Sequence, residues 1–281
     1  MPAILRSDFI YVNEDGATSP RLKNLIDRGN YQRNTNFLAN YLAGMPTEKE
    51  TFCLGVDKRF PSMTPVSCST FEEAFSSSCR QLESSSITVA LSGGLDSQFI
   101  ALELRRRGFH VKAVSLKSDI HGYCEWDKVQ AFALKHSIDL IPITVKREDF
   151  YQSLPEMMSI VEEPIYNLHA VSKFLLARGL NEIGIFQCLT GDGADQVFAA
   201  KEECDLYRLT KKCFHAFGID LVTPLATPEM VSFTSLEGPQ DKRALYRMDA
   251  EKSACLFPDE GKAHILNLSL TILERNLLCA E

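Results

Sequence analysis

The 281-residue chain contains a single tryptophan, no cysteine pair at CxxC spacing and no apolar run approaching the roughly 20 residues that cross a bilayer. Without CxxC pairs or a tight Cys/His cluster, a structural zinc site is not expected. Its nine cysteines, Cys53, Cys68, Cys79, Cys124, Cys188, Cys204, Cys213, Cys255 and Cys279, are odd in number and widely spaced. That usage suits reduced thiols in a cytoplasmic protein better than a disulfide scaffold. Met1 to Ile10 carries Arg6 and Asp8 and lacks an apolar stretch, so no secretory leader is expected there. Basic charge is also scarce: thirty Lys and Arg stand against thirty-seven Asp and Glu, for a formal charge of −7 and a pI of 5.5. A nucleic-acid partner or an anionic membrane is therefore not expected. Hydrophobic residues, by contrast, make up 45% of the chain, enough for a sizeable core and too many for a disordered tail.

Residues 1–85 are irregular, with apolar stretches at Phe9 to Val12 and Phe37 to Leu42 and a helical pattern at Phe71 to Leu82. After the serines at 84–86 the rhythm changes, which sets a boundary between a short N-terminal region, 1–85, and a main domain, 86–281. Short apolar runs at Ile87 to Leu91, Val111 to Leu116, Leu140 to Val145 and Ile183 to Leu189 alternate with amphipathic segments. Runs of that length between helical segments predict a parallel sheet buried on both faces, an α/β fold. Beyond Gly193 the pattern becomes mostly helical.

Two loops carry chemistry. Leu91-Ser92-Gly93-Gly94-Leu95-Asp96-Ser97 lies where the first buried run ends and a helix begins. Its glycines allow a close approach of backbone to ligand, its serines offer hydroxyls, and the following helix presents free N–H groups, so the segment reads as a phosphate cradle. Neither GxxxxGK[ST] nor GxGxxG is present. Asp96 would repel a phosphate unless a divalent cation lay between them, which points to Mg²⁺. The alternative is a plain strand-to-helix turn with Asp96 as an early helix carboxylate. The second loop, Thr190-Gly191-Asp192-Gly193-Ala194-Asp195-Gln196, follows the run ending at Leu189. Gly191 and Gly193 bracket Asp192, and of Asp192 and Asp195 one could share the metal and the other move a proton. Gly/Asp clusters also make ordinary turns.

Together these segments resemble the synthetase domain of the asparagine synthetase family, within the ATP pyrophosphatases. SGGLDS is similar to the pyrophosphate loop, and GDGADQVF to the GEGSDE or GDGADE segment. Ala113 to Leu116 resembles the adenine-side strand, Glu125 to His136 the "DE..YA..vA" helix, Glu162-Glu163-Pro164 "DEP", and Ala216 to Pro224 "a.GiE.RvPF". The resemblance implies an ATP-pyrophosphatase α/β fold and an AMP-forming ligase that adenylates a carboxylate and passes it to an amine. It implies ATP and Mg²⁺, with Ser92, Gly93, Gly94, Leu95, Asp96, Ser97, Gly191 and Gly193 at the nucleotide and Ser115 facing the adenosine. It makes Asp96 and Asp195 metal ligands, Asp192 the catalytic residue supported by Asp220, and Lys262 the cation that meets the acyl-adenylate. Lys242 and Arg243 stand where the family has "K..LR", able either to bind phosphate or to form a charged helix face.

The chain departs from the family at Gln196, where most relatives have Glu, and at Ala199-Ala200, where they have Gly-Gly. Its second residue is Pro2 rather than the glutaminase cysteine, and about 85 residues before the loop are too few for a glutaminase domain. The expected nitrogen source is therefore free ammonia, a partner protein, or an amine on a small-molecule or peptide substrate. A homo-oligomer is left open. Two other readings stand beside this one: RNA-base thiolation by a related loop, and a degenerate, noncatalytic domain that binds a nucleotide or a partner.

Overall fold

A computed structural model describes residues 9–45, 49–60, 66–80, 82, 84–120, 125–198, 205–237, 241–248 and 261–278. The Ala199-Ala200 departure lies outside them. In chain order the elements are β1 (Ile10–Asn13), β2 (Thr18–Ser19), α1 (Thr35–Leu42), β3 (Val56–Arg59), α2 (Phe71–Cys79), β4 (Ser86–Ala90), α3 (Leu95–Arg106), β5 (His110–Ser118), α4 (Trp126–Lys135) and β6 (Asp139–Val145). There follow α5 (Arg147–Gln152), α6 (Leu154–Val161), α7 (His169–Glu182), β7 (Gln187–Leu189), α8 (Ala194–Phe198), α9 (Asp205–Ala216), β8 (Asp220–Val222), α10 (Pro228–Glu237), α11 (Lys242–Tyr246) and α12 (Lys262–Leu278).

The main sheet has five parallel strands in the order β6-β5-β4-β7-β8. Alternation along each strand sends neighbouring residues to opposite faces. Ile87, Val89, Val111, Ala113, Leu189 and Val222 pack with α2, α3, α4 and α10, while Val114, Ile143 and Cys188 pack with α6, α7, α9 and α12. Burial on both faces is what the unbroken apolar runs require. The chain order reverses between β4 and β7, and both strands present their carboxyl ends to the same side. In such sheets that crevice is where ligands bind. Among the described residues no helix is long and apolar enough to cross a membrane.

The N-terminal residues form a three-stranded antiparallel sheet, β2-β1-β3, and Tyr11, Leu22, Phe37 and Phe52 share one core with α6, α7, α9 and α12. The joint is the Glu162-Glu163-Pro164 turn. Glu162 has φ 52; its carboxylate accepts from Leu22 N at 2.8 Å and from Arg21 Nε at 3.0 Å. Lys58 Nζ lies 2.7 Å and Lys212 Nζ 3.1 Å from the Glu163 carboxylate, and the Tyr41 hydroxyl donates to the Pro164 carbonyl at 2.8 Å. Ser269 of α12 closes the turn, accepting from Ile165 N at 3.1 Å. A segment resembling a family motif therefore fastens the N-terminal sheet to the helices on one face of the main sheet.

Burial alone would raise the Glu163 pKa, but Lys58, Lys212 and Arg208 outweigh it and hold the carboxyl well below its ordinary 4.5. Removing its charge takes the carboxylate away from the buried Lys58 ammonium and the partly buried Lys212, so Glu163→Gln is expected to cost about 3–5 kcal/mol at neutral pH. Because the folded carboxyl gives up its proton more readily than the unfolded one, this stability is fully present above pH 4.5 and drains away as pH falls below it. Urea titrations of both proteins between pH 7 and acid check this: the gap should narrow on acidification, and a gap that stays constant would contradict it.

Candidate active site

The loop after β4 and the loop after β7 line a single cleft of about 340 Å³ at the carboxyl ends of the strands. Ser92, Gly94, Asp96, Ser97, Ser115, Gly191, Asp192, Gly193 and Asp195 all line it. The two acidic loops, nearly a hundred residues apart, touch directly. A Cβ on Gly191 would lie 2.8 Å from the Asp96 Cβ and 3.1 Å from Ser97 N, so only glycine permits this approach. The glycine expected to make room for a ligand makes room for the neighbouring loop.

Within the first loop the hydroxyls serve the backbone. Ser92 N donates to Ser97 Oγ at 3.0 Å, Gly94 N to Ser92 Oγ at 3.2 Å, and the two hydroxyls lie 3.0 Å apart. Ser97 is buried, and its bonds shape the cradle. Gly93 N donates to Glu125 Oε2 at 3.1 Å. A Cβ there would sit 2.7 Å from the Glu125 carboxylate, so a side chain at this position would push the carboxylate away from the loop. Glu125, just ahead of α4, thus already holds one donor expected to face phosphate. Leu95 begins α3 and packs back into the apolar core.

Asp96 and Asp195 converge on one cation. Lys242 Nζ lies 2.8 Å from Asp96 Oδ2 and 2.5 Å from Asp195 Oδ1, and the Tyr246 hydroxyl donates to Asp96 Oδ1 at 2.9 Å. Burial raises the Asp96 pKa against the pull of Lys242 and Tyr246. Burial lowers that of Lys242, but the two carboxylates outweigh it and raise it. Among the described residues no group of three or more His, Cys, Asp or Glu could hold a metal. Two carboxylates on a common cation nevertheless suit Mg²⁺, which binds through one or two carboxylates and completes its shell with waters and substrate phosphates.

A second ion pair faces the same cleft: Lys173 Nζ of α7 lies 2.8 Å from Asp192 Oδ1 and 2.9 Å from Oδ2. Its one sequence signal is a lone charge between Ala170 and Ala177, a largely apolar stretch of helix, where a partly buried charge needs a partner. Two expected residues lie elsewhere. Asp220 is the first residue of β8, a short strand inside the stretch whose pattern is mostly helical. It is therefore at the strand's amino end, exposed, accepting from Gln187 Nε2 at 2.8 Å and lining a separate hollow with Lys211 and His215. That position cannot support Asp192. Lys262 opens α12 with its Nζ over the Tyr166 ring, 5.3 Å from the centroid, and does not line the cleft.

The asparagine synthase family model matches residues 70–261. The chain belongs to the asparagine synthase family. The match takes in α2 ahead of the main sheet and both acidic loops, and stops one residue before Lys262. Membership in this family places the chain among ATP-using ligases. One similar solved structure is a predicted subunit of tRNA methyltransferase from Methanocaldococcus jannaschii, 18% identical, covering 58% of this chain and 84% of that one with a TM-score of 0.35. No curated protein matches.

Proposed function

We propose that this asparagine synthase family member adenylates a substrate carboxylate with ATP and lets an amine displace AMP, forming an amide or related C–N bond. The observation that carries this reading is the meeting of Asp96 and Asp195, both of which line the cleft, on one cation. A carboxylate oxygen attacks the α-phosphorus, the bond to the bridging oxygen breaks, and pyrophosphate leaves toward the loop after β4. Asp96 and Asp195 would hold Mg²⁺, which neutralises charge on the departing pyrophosphate. Ser115 and its neighbours on β5 form the adenosine side, and in-line placement supplies much of the acceleration.

In the second half the amine nitrogen attacks the acyl carbon, AMP leaves, and the proton shed by the nitrogen passes to Asp192. Lys173, paired with Asp192, meets the charge that develops on the adenylate, the task expected of Lys262. The nitrogen arrives as ammonia or as an amine on a substrate or partner. Cysteine-dependent thiolation gains no support: the free cysteines among the described residues are all buried, and burial pushes Cys79 up to about 11 and Cys188 and Cys213 up to about 12. These are poor thiolates.

The test is a screen of carboxylic acids for exchange of labelled pyrophosphate into ATP and for AMP release. Acid-dependent exchange is expected. Binding of ATP with neither exchange nor AMP release for any acid would overturn the ligase reading in favour of a noncatalytic nucleotide-binding domain.

A further inference from the structure

Short helix α11 places a cation and a phenol one turn apart on the same carboxylate. Asp241 caps it, accepting from Arg243 N at 3.0 Å, and Arg247 ends it with φ 52. The spacing from Lys242 to Tyr246 is the one that puts two side chains on one helix face. The Tyr246 ring stacks on Phe99 of α3, centroids 4.1 Å apart and planes 13° apart, and is buried. The anchored ring fixes the helix so that Lys242 Nζ lies between Asp96 and Asp195 while the phenol takes the other Asp96 oxygen. Both Asp96 oxygens are thus engaged.

We propose that Lys242 guards this site: its ammonium, held between Asp96 and Asp195, excludes free divalent metal and gives up its place only to metal that arrives with phosphate. The inference rests on the proposed nucleotide site and not on the amide-forming step. Mg²⁺ sheds water reluctantly and gains little from two carboxylates already neutralised in part by an ammonium. Displacing Lys242 without a new anion would leave a partly buried charge without a partner. A triphosphate removes both obstacles, because its oxygens complete the metal's shell and offer the ammonium a new partner. Metal and nucleotide binding are then coupled through one side chain.

The experiment uses Mn²⁺ and AMP-PNP with the full chain. By electron paramagnetic resonance, free Mn²⁺ should bind Lys242→Met at least about tenfold more tightly than wild type, since the repelling ammonium is gone. Lys242→Arg should keep the exclusion, and adding Asp96→Asn to Lys242→Met should abolish the gain, which assigns it to this site. Equal Mn²⁺ affinity in wild type and Lys242→Met overturns the proposal. A second measurement needs no variant: Mn²⁺ alone should leave the wild-type melting temperature unchanged, whereas Mn²⁺ with AMP-PNP should raise it. A rise with Mn²⁺ alone overturns the proposal while leaving the nucleotide site intact; no AMP-PNP binding in wild type removes both.

Discussion

Asp195→Ala and Asp96→Ala should each lower acid-dependent ATP–pyrophosphate exchange by about 10³-fold or more, because each removes half of the carboxylate pair proposed to hold the metal against the leaving pyrophosphate. The two variants differ in what else they disturb. Asp195 is 55% exposed in its side chain, so its loss should leave the fold untouched and gives the cleaner measurement. Asp96 is the acceptor for the buried Tyr246 hydroxyl, and truncating it leaves that hydroxyl unsatisfied at a cost of about 1–3 kcal/mol. Asp96→Asn keeps an oxygen for the phenol and removes the charge, so it should be as inactive as Asp96→Ala but more stable. Lys242 loses one partner in each variant and keeps the other, so neither variant leaves a fully unpaired ammonium. Exchange activity within about tenfold of wild type in Asp195→Ala would show that the carboxylate pair does not hold the metal.

Why could the convergence of Asp96 and Asp195 be read from the chain when Lys242 between them stood only as one of two readings, and Lys173 beside them not at all? Both loops follow apolar runs that read as parallel strands, and the carboxyl ends of such strands face one side whatever their separation in sequence. Lys242 and Lys173 have no such frame. Lys242 meets carboxylates 146 and 47 positions away, and Lys173 meets one 19 positions away. Pairing of charges across elements leaves no periodic trace. Asp220 failed for a different reason: β8 is three residues long, too short to show alternation, so a residue entering a strand could not be told from one leaving it. The Glu163 cluster was hidden likewise, its partners Lys58 and Lys212 lying on opposite sides of it in the chain. Its similarity to a family motif gave no hint that it fastens the N-terminal sheet in place.

Asp192→Asn should separate the two half-reactions. If Asp192 accepts the proton of the attacking amine, its amide analogue should leave AMP-PNP affinity and ATP–pyrophosphate exchange near wild type, and slow amide formation by about 10²–10³-fold. Lys173 loses its carboxylate partner in that variant. Lys173→Gln should also slow the reaction, and because the two side chains act as a pair, the double variant should lose much less than the product of the single losses. A chemical acceptor sharpens the test. Hydroxylamine is largely unprotonated at neutral pH and attacks activated acyl groups without a general base, so hydroxamate formation should survive Asp192→Asn while coupling to an ammonium-type amine collapses. An equal loss of exchange, hydroxamate and amide would mean that Asp192 acts by shaping the cleft, with Lys173 as its structural counter-ion, and the proton would have to leave by another route.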